Sequence, residues 1–331
     1  MDQPAEHTAP PRLVRRPVDR DLELARQVVA AHLVPTPVQH LAGLEGTVAK
    51  FETAQPTGSF KVRGALAAVA AALAEDPSVS VLTASAGNHG LGLAYAAQQL
   101  GASAAVVVAE TASPAKIARL RGTGVELILH GDTFEAAEAY ALELAAERSC
   151  RFISAYNDPA VIAGQATVAS ELLDQVPEVE RIVVPVGGGG LAAGVALIAA
   201  VRGVEVIGVQ AGADAVMAAS LVAGHLVEIE AQPTAADGLA GALEPGSVTF
   251  DLLAEHLGSM LCVDEEELAA AVWWAFAEIG AVIEGSAAVS LAAVRSGAVP
   301  AGPRTAILLT GRNLTVERYA ELLARGQAAA R

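Results

Sequence analysis

Short β-branched runs alternate along this chain with longer alanine-rich stretches. The runs predict strands at Thr47–Thr53, Val79–Thr83, Ala104–Ala109, Val125–His130, Arg181–Val186, Val204–Gln210 and Thr305–Thr310. The stretches between them predict helices over about Ser59–Ala74, Asn88–Leu100, Pro114–Arg121, Thr133–Arg148, Gly190–Val201 and Glu265–Gly280. Such alternation builds a mostly parallel sheet with crossover helices, an α/β fold. The apolar segment Ile182–Val201 has the length of a membrane span, but Pro185 and Gly187 to Gly190 break it. It therefore reads as strand, loop and helix, and no membrane partner is expected. There is no internal repeat, and composition alone places no domain boundary.

With 331 residues the chain can bury a large core. Aromatics are only 4% of it, so its elements must pack through small side chains, which suits layered α/β architecture. A formal charge of −16 argues against nucleic acid or an anionic membrane as partner, since both attract basic surfaces. Cys150 and Cys262 are too few for a disulfide framework or a zinc cluster and read as buried thiols of a reducing cytoplasm. The first twenty residues read as a flexible arm without the apolar stretch of a secretory signal.

Ligands of open parallel sheets gather at the carboxyl ends of strands, where loops lead into helices. Four conspicuous segments fall there: PTGSFKVRGA, SAGNHG, the glycines 187–190, and TGRN. Gly187, Gly188, Gly189, Gly190 and Leu191 offer consecutive unhindered N–H groups at a helix start, which suits a phosphate. A dinucleotide site is the rival, because Gly187, Gly189 and Ala192 match its spacing. That reading needs an acidic residue about twenty positions on, where Gln210 stands. Lysine is scarce: only Lys50, Lys61 and Lys116. An ammonium can shed its proton and become a nucleophile, which a guanidinium cannot. Lys61 sits in the first turn of a predicted helix, where the dipole depresses its pKa. Lys50 and Lys116 read as ordinary surface or snorkelling lysines.

GSFKVRGA, SAGNHG, VGGGGL and AVIAGQAT together resemble the pyridoxal-phosphate (PLP) dependent threonine/serine dehydratase and serine racemase family, of the tryptophan-synthase-β fold. The resemblance runs from about Pro35 to Asn313. It implies two domains, each an open, mostly parallel twisted sheet with helices on both faces, with the cofactor in the cleft. Residues 1–79 and 155–331 would form the larger domain and 80–154 the smaller. Lys61 would carry the cofactor as a Schiff base and act as base at Cα, with Phe60 against one ring face and Gly238 near the other. Asn88 would bond the ring oxygen, the loop 187–190 with the Leu191 backbone would hold the phosphate, and Thr310 would meet the ring nitrogen. Ser85, Ala86, Gly87, Asn88 and His89 would receive the substrate carboxylate. The implied activity is removal of the β-hydroxyl of a hydroxy-amino acid such as threonine or serine, giving a 2-oxo acid and ammonia, in a cytoplasmic homodimer. An amino-acid racemase, a dehydratase for a specialised substrate and a non-catalytic phosphate-binding module are the alternatives.

The sequence departs from that pattern in places. Arg312 replaces a glycine in TGRN, and if it faces the pocket it would bind a side-chain anion. Gln210 stands where several relatives have a cation-binding Glu, and an amide is a poorer ligand for a hard cation, so no metal is expected. Glu284, in EGSAA, lies in a stretch the family keeps near the cofactor and has no assigned role.

Overall fold

The computed structural model describes residues 12–329. Its strands are β1 (Val38–Leu41), β2 (Thr47–Phe51), β3 (Val81–Ala84), β4 (Ala104–Val108), β5 (Glu126–Leu129), β6 (Arg151–Phe152), β7 (Arg181–Pro185), β8 (Glu205–Ala211), β9 (Ser259–Val263) and β10 (Thr305–Leu309). Helices α1 (Asp19–His32), α2 (Lys61–Glu75), α3 (Asn88–Leu100), α4 (Pro114–Arg121), α5 (Phe134–Glu147) and α6 (Pro159–Gln175) occupy the first half. The rest are α7 (Gly190–Arg202), α8 (Val216–Ala223), α9 (Val248–His256), α10 (Glu265–Ile279), α11 (Gly285–Arg295) and α12 (Val316–Ala329).

Two sheets result. Six strands run in the order β1-β2-β10-β7-β8-β9, parallel except for the antiparallel β1–β2 edge pair, and four run in the parallel order β5-β4-β3-β6. Burial on both faces explains why the central strands read as unbroken apolar runs. Val48, Ile182, Val184, Ala306 and Leu308 pack with residues of α6, α7 and α9. Their alternates Ala49, Val183, Ile307 and Leu309 pack with α10 and α11 on the other face, as the twofold period of a strand requires. The four-stranded sheet lies between α3 and α5.

Small residues let the helices meet closely. A Cβ on Gly164 of α6 would lie 2.5 Å from the Cα of Gly64 in α2, so the two helices cross backbone to backbone. This crossing fixes the helix that begins at Lys61. The Ile182–Val201 segment is β7, a loop and the start of α7, and no helix among the described residues is long and apolar enough to cross a membrane.

Several expectations need correction. The cysteines are not buried: Cys150 is half-buried and Cys262 is exposed on β9. Lys50 is no surface lysine, for its side chain is wholly enclosed and donates to Glu171 Oε1 (2.5 Å), Gln175 Oε1 (2.6 Å) and the Thr36 carbonyl (2.9 Å). The arm expected over residues 1–20 lies outside the described residues up to position 11. From Arg12 the chain is pinned by ion pairs of Arg12 with Glu244, Arg15 with Asp21 and Arg16 with Glu255, and α1 begins at Asp19.

Candidate active site

The loop between β7 and α7 has the form of an anion cradle. Among the described residues, the backbone N–H groups of Gly187, Gly188, Gly189, Gly190 and Leu191 have no hydrogen-bond partner, at the positive end of a helix. Glycine is demanded here by crowding and conformation. A Cβ on Gly187 would come within 2.9 Å of the Leu239 backbone, on Gly188 within 2.5 Å of the Tyr156 ring and on Gly190 within 2.9 Å of the Tyr156 backbone. Gly189 has φ +88°, a region that L side chains rarely adopt.

Lys61 opens α2 because the preceding loop is held by the end of β10. Phe60 N–H donates to the Thr310 carbonyl (3.0 Å) and Arg312 N–H to the Gly58 carbonyl (3.0 Å). Its Nζ lies 5.3 Å from the Phe60 ring centroid and donates to the Ala155 carbonyl at 2.8 Å. Enough protein surrounds the amine that burial pushes its pKa down to about 8, against a smaller upward pull from Glu284. A fraction of the amine is therefore unprotonated near neutral pH, as a nucleophile requires.

Asn88, at the start of α3, sits in a closed network. Its Nδ2 donates to Glu284 Oε1 (2.9 Å), while its Oδ1 accepts from Asn313 Nδ2 (2.5 Å). Asn313 also donates to the Thr57 carbonyl (2.8 Å) and, from its backbone, to Glu284 Oε2 (2.8 Å). Burial raises the Glu284 carboxyl to about 7 despite these bonds. Gly311 has no room for a side chain, since a Cβ would lie 2.6 Å from Glu284 Oε1. Thr310 is buried, and its hydroxyl has no hydrogen-bond partner among the described residues.

Ser85, Ala86, Gly87 and Asn88 are half-buried beside this network, and Ser85 Oγ accepts from the Gly87 N–H (3.2 Å). The N–H groups of Ala86, Asn88 and His89 have no partner among the described residues, so this loop too has the form of an anion receptor. His89 contributes only its backbone there. Its imidazole is buried, with Nε2 3.3 Å from the Ile153 carbonyl, and burial together with the Lys61 charge drives its pKa down to about 3. Gly238 is exposed at the rim, its N–H donating to Ser286 Oγ (2.9 Å). The Arg312 side chain is exposed and has no partner among the described residues.

The loops expected to converge therefore do so, through contacts that motif reading had not identified. Asn313, Glu284, Tyr156 and Ala155 join them. Asn313 carried a visible signal, standing beside Thr310 and Arg312 in TGRN, and Glu284 stood out in EGSAA without a role; Tyr156 and Ala155 carried none.

An unpaired N–H cradle, a lysine amine of lowered pKa, a fixed amide and a hydroxyl without a partner among the described residues are the features a phosphorylated carbonyl compound would call for. The model of the pyridoxal-phosphate dependent enzyme family matches residues 29–311, and the chain belongs to that family. It is similar to the L-threonine ammonia-lyase of Thermotoga maritima, 40% identical over 281 residues, which are 84% of this chain and 69% of that protein. To the biosynthetic L-threonine dehydratase of Escherichia coli it is 38% identical over 84% of this chain, yet it spans only 56% of that relative's length. Its fold resembles the solved structure of the processed form of threonine deaminase isoform 2 from Solanum lycopersicum. That likeness has a TM-score of 0.84 at 29% identity, covering 96% of this chain and 98% of the other. The cofactor is pyridoxal phosphate.

Proposed function

We propose that this chain is an ammonia-lyase that removes the β-hydroxyl of threonine or serine, giving a 2-oxo acid and ammonia. The observation that carries the reading is the Lys61 amine, poised at a pKa of about 8 between the 187–191 cradle and the Asn88 network. The cradle would take the cofactor phosphate, Asn88 Nδ2 its ring oxygen and Thr310 its ring nitrogen, with Phe60 and Gly238 at its faces. The cofactor, when bound, supplies an electron-withdrawing ring that acidifies the substrate Cα–H.

The chain's own residues do the rest. The free N–H groups of the 85–89 loop orient the substrate carboxylate. Lys61 would be the base at the Cα proton, and its depressed pKa suits proton transfer near neutral pH. Thr310 offers a hydroxyl where a carboxylate would hold the ring nitrogen protonated, and a cofactor held in this way would be a weaker electron sink, which would favour loss of the β-hydroxyl. Gln210 spends its side-chain oxygen on the Ala218 N–H (2.8 Å), in keeping with a reaction that needs no metal. A division at residues 80–154, which includes the four-stranded sheet, and a cytoplasmic homodimer belong to the same reading. The deciding assay follows ammonia and 2-oxo acid from a panel of β-hydroxy-amino acids. Threonine and serine should release both in equal amounts, and a panel that yields neither product would refute the reading.

A further inference from the structure

The segment 154–157 touches both halves of the site, and its neighbours all lead to one carboxylate. Ala155 presents the carbonyl that accepts from Lys61 Nζ at 2.8 Å. The Tyr156 ring fills the space a side chain on Gly188 would need, and its backbone does the same at Gly190. Ser154 Oγ donates to Glu244 Oε1 (2.8 Å), Asn157 Nδ2 donates to Glu244 Oε2 (3.0 Å), and the Glu244 N–H donates to the Tyr156 hydroxyl (2.7 Å). Asn157 is tied further, its Oδ1 accepting from the Val248 N–H (3.1 Å). Glu244 is mostly enclosed, and its charge is met by Arg12, whose guanidinium donates to Oε2 at 2.8 and 3.2 Å. Arg12 also donates to the Asn157 carbonyl (3.2 Å) and lies 5.1 Å from the Phe152 ring centroid.

We propose that Glu244, neutralised by Arg12, is a positioning residue of the active site. Acting through Ser154, Tyr156 and Asn157, it fixes both the carbonyl that receives the Lys61 amine and the wall behind the glycine cradle. An ionised carboxylate suits the task because its two oxygens serve Ser154, Asn157 and Arg12 together. The amide of a glutamine has one acceptor oxygen and no charge, so Ser154 must turn from donor to acceptor and Arg12 loses its ionic partner. The inference rests on the reading of Lys61 and the glycine loop as the cofactor site.

The test is equilibrium titration of PLP back into cofactor-depleted full-length protein, followed by the absorbance of the lysine-bound form. Glu244→Ala should raise the PLP Kd about tenfold or more, the cost expected when charged hydrogen bonds are lost, and Arg12→Ala about threefold. Glu244→Gln should fall between Glu244→Ala and the unmutated protein. A residue serving only the fold would lower the melting temperature of the cofactor-depleted protein and leave the PLP Kd within about twofold. That outcome overturns the proposal. Should Glu244→Ala not fold, Glu244→Gln and Ser154→Ala carry the same comparison. Failure of the underlying reading shows separately, as a borohydride adduct of the unmutated protein on a residue other than Lys61.

Discussion

Asn313 donates from Nδ2 to the side-chain oxygen of Asn88 at 2.5 Å, and this bond decides which way the Asn88 amide faces. With its oxygen engaged, Asn88 gives one hydrogen to Glu284 Oε1 and has the other to offer, which in the proposed reading would meet the cofactor's ring oxygen. Asn313→Ala should therefore lower kcat/KM about tenfold, the worth of one buried polar bond of this kind, and chiefly through kcat. Asn313→Asp should do more damage, because it sets a second carboxylate against Glu284. Steady-state ammonia release checks both, and rates within twofold of the unmutated enzyme would remove Asn313 from the site.

The pH behaviour follows from Lys61. Its pKa is lowered from 10.5 to about 8 by burial, so between those values the unfolded chain keeps a proton on this lysine that the folded, cofactor-depleted protein lacks. Stability of that form should consequently rise with pH across this window, and Lys61→Ala should abolish the contribution. The rate of PLP capture should climb with pH and level off above about 8. Stopped-flow absorbance tests this, and a midpoint near the ordinary lysine value would show that the amine is not poised.

Much of the fold was legible because its central strands are buried on both faces and read as β-branched runs. All seven predicted strands are present, at slightly shifted ends. The missed strands β1, β6 and β9 are short or at sheet edges, where the apolar signal is weak. Helices α1, α6, α8, α9, α11 and α12 were not predicted; of these α6 and α11 are apolar nearly all round and present no polar face to reveal a period. Within the site, Lys61 and the glycine loop could be read because their chemistry is local. Glu244 and Arg12 could not, since they are 232 positions apart in the chain and owe their meeting to the fold. Lys50 was misjudged for a similar reason, its partner Glu171 lying on a helix the sequence did not disclose.

Ala86 separates elimination from racemisation. Inverting Cα requires a proton donor on each face, and Lys61 can serve only one; the half-buried Ala86 of the Asn88 loop carries a methyl group, which cannot donate a proton. Elimination with little or no racemisation is expected, and Ala86→Ser should introduce a slow racemase activity. Chiral chromatography of serine recovered at partial turnover tests both. Substantial D-serine from the unmutated enzyme would show that another group guards the second face.

Arg312 is exposed and has no partner among the described residues, so a substrate with a second anion could reach its guanidinium without breaking an existing bond. Arg312→Gly should raise KM for 3-hydroxyaspartate more than for threonine or serine, by about tenfold for one charged contact. Equal effects on all substrates would place the side chain outside the substrate's reach.

The proposed chemistry turns above all on Lys61 being the residue that bonds the cofactor. Borohydride reduction of the holoenzyme followed by peptide mapping reads this directly. The reduced PLP adduct is expected on Lys61, in the peptide containing Gly58 to Arg63, and Lys61→Ala should give a colourless protein with no adduct. An adduct on Lys50 or Lys116 of the unmutated enzyme would contradict the assignment and the mechanism built on it.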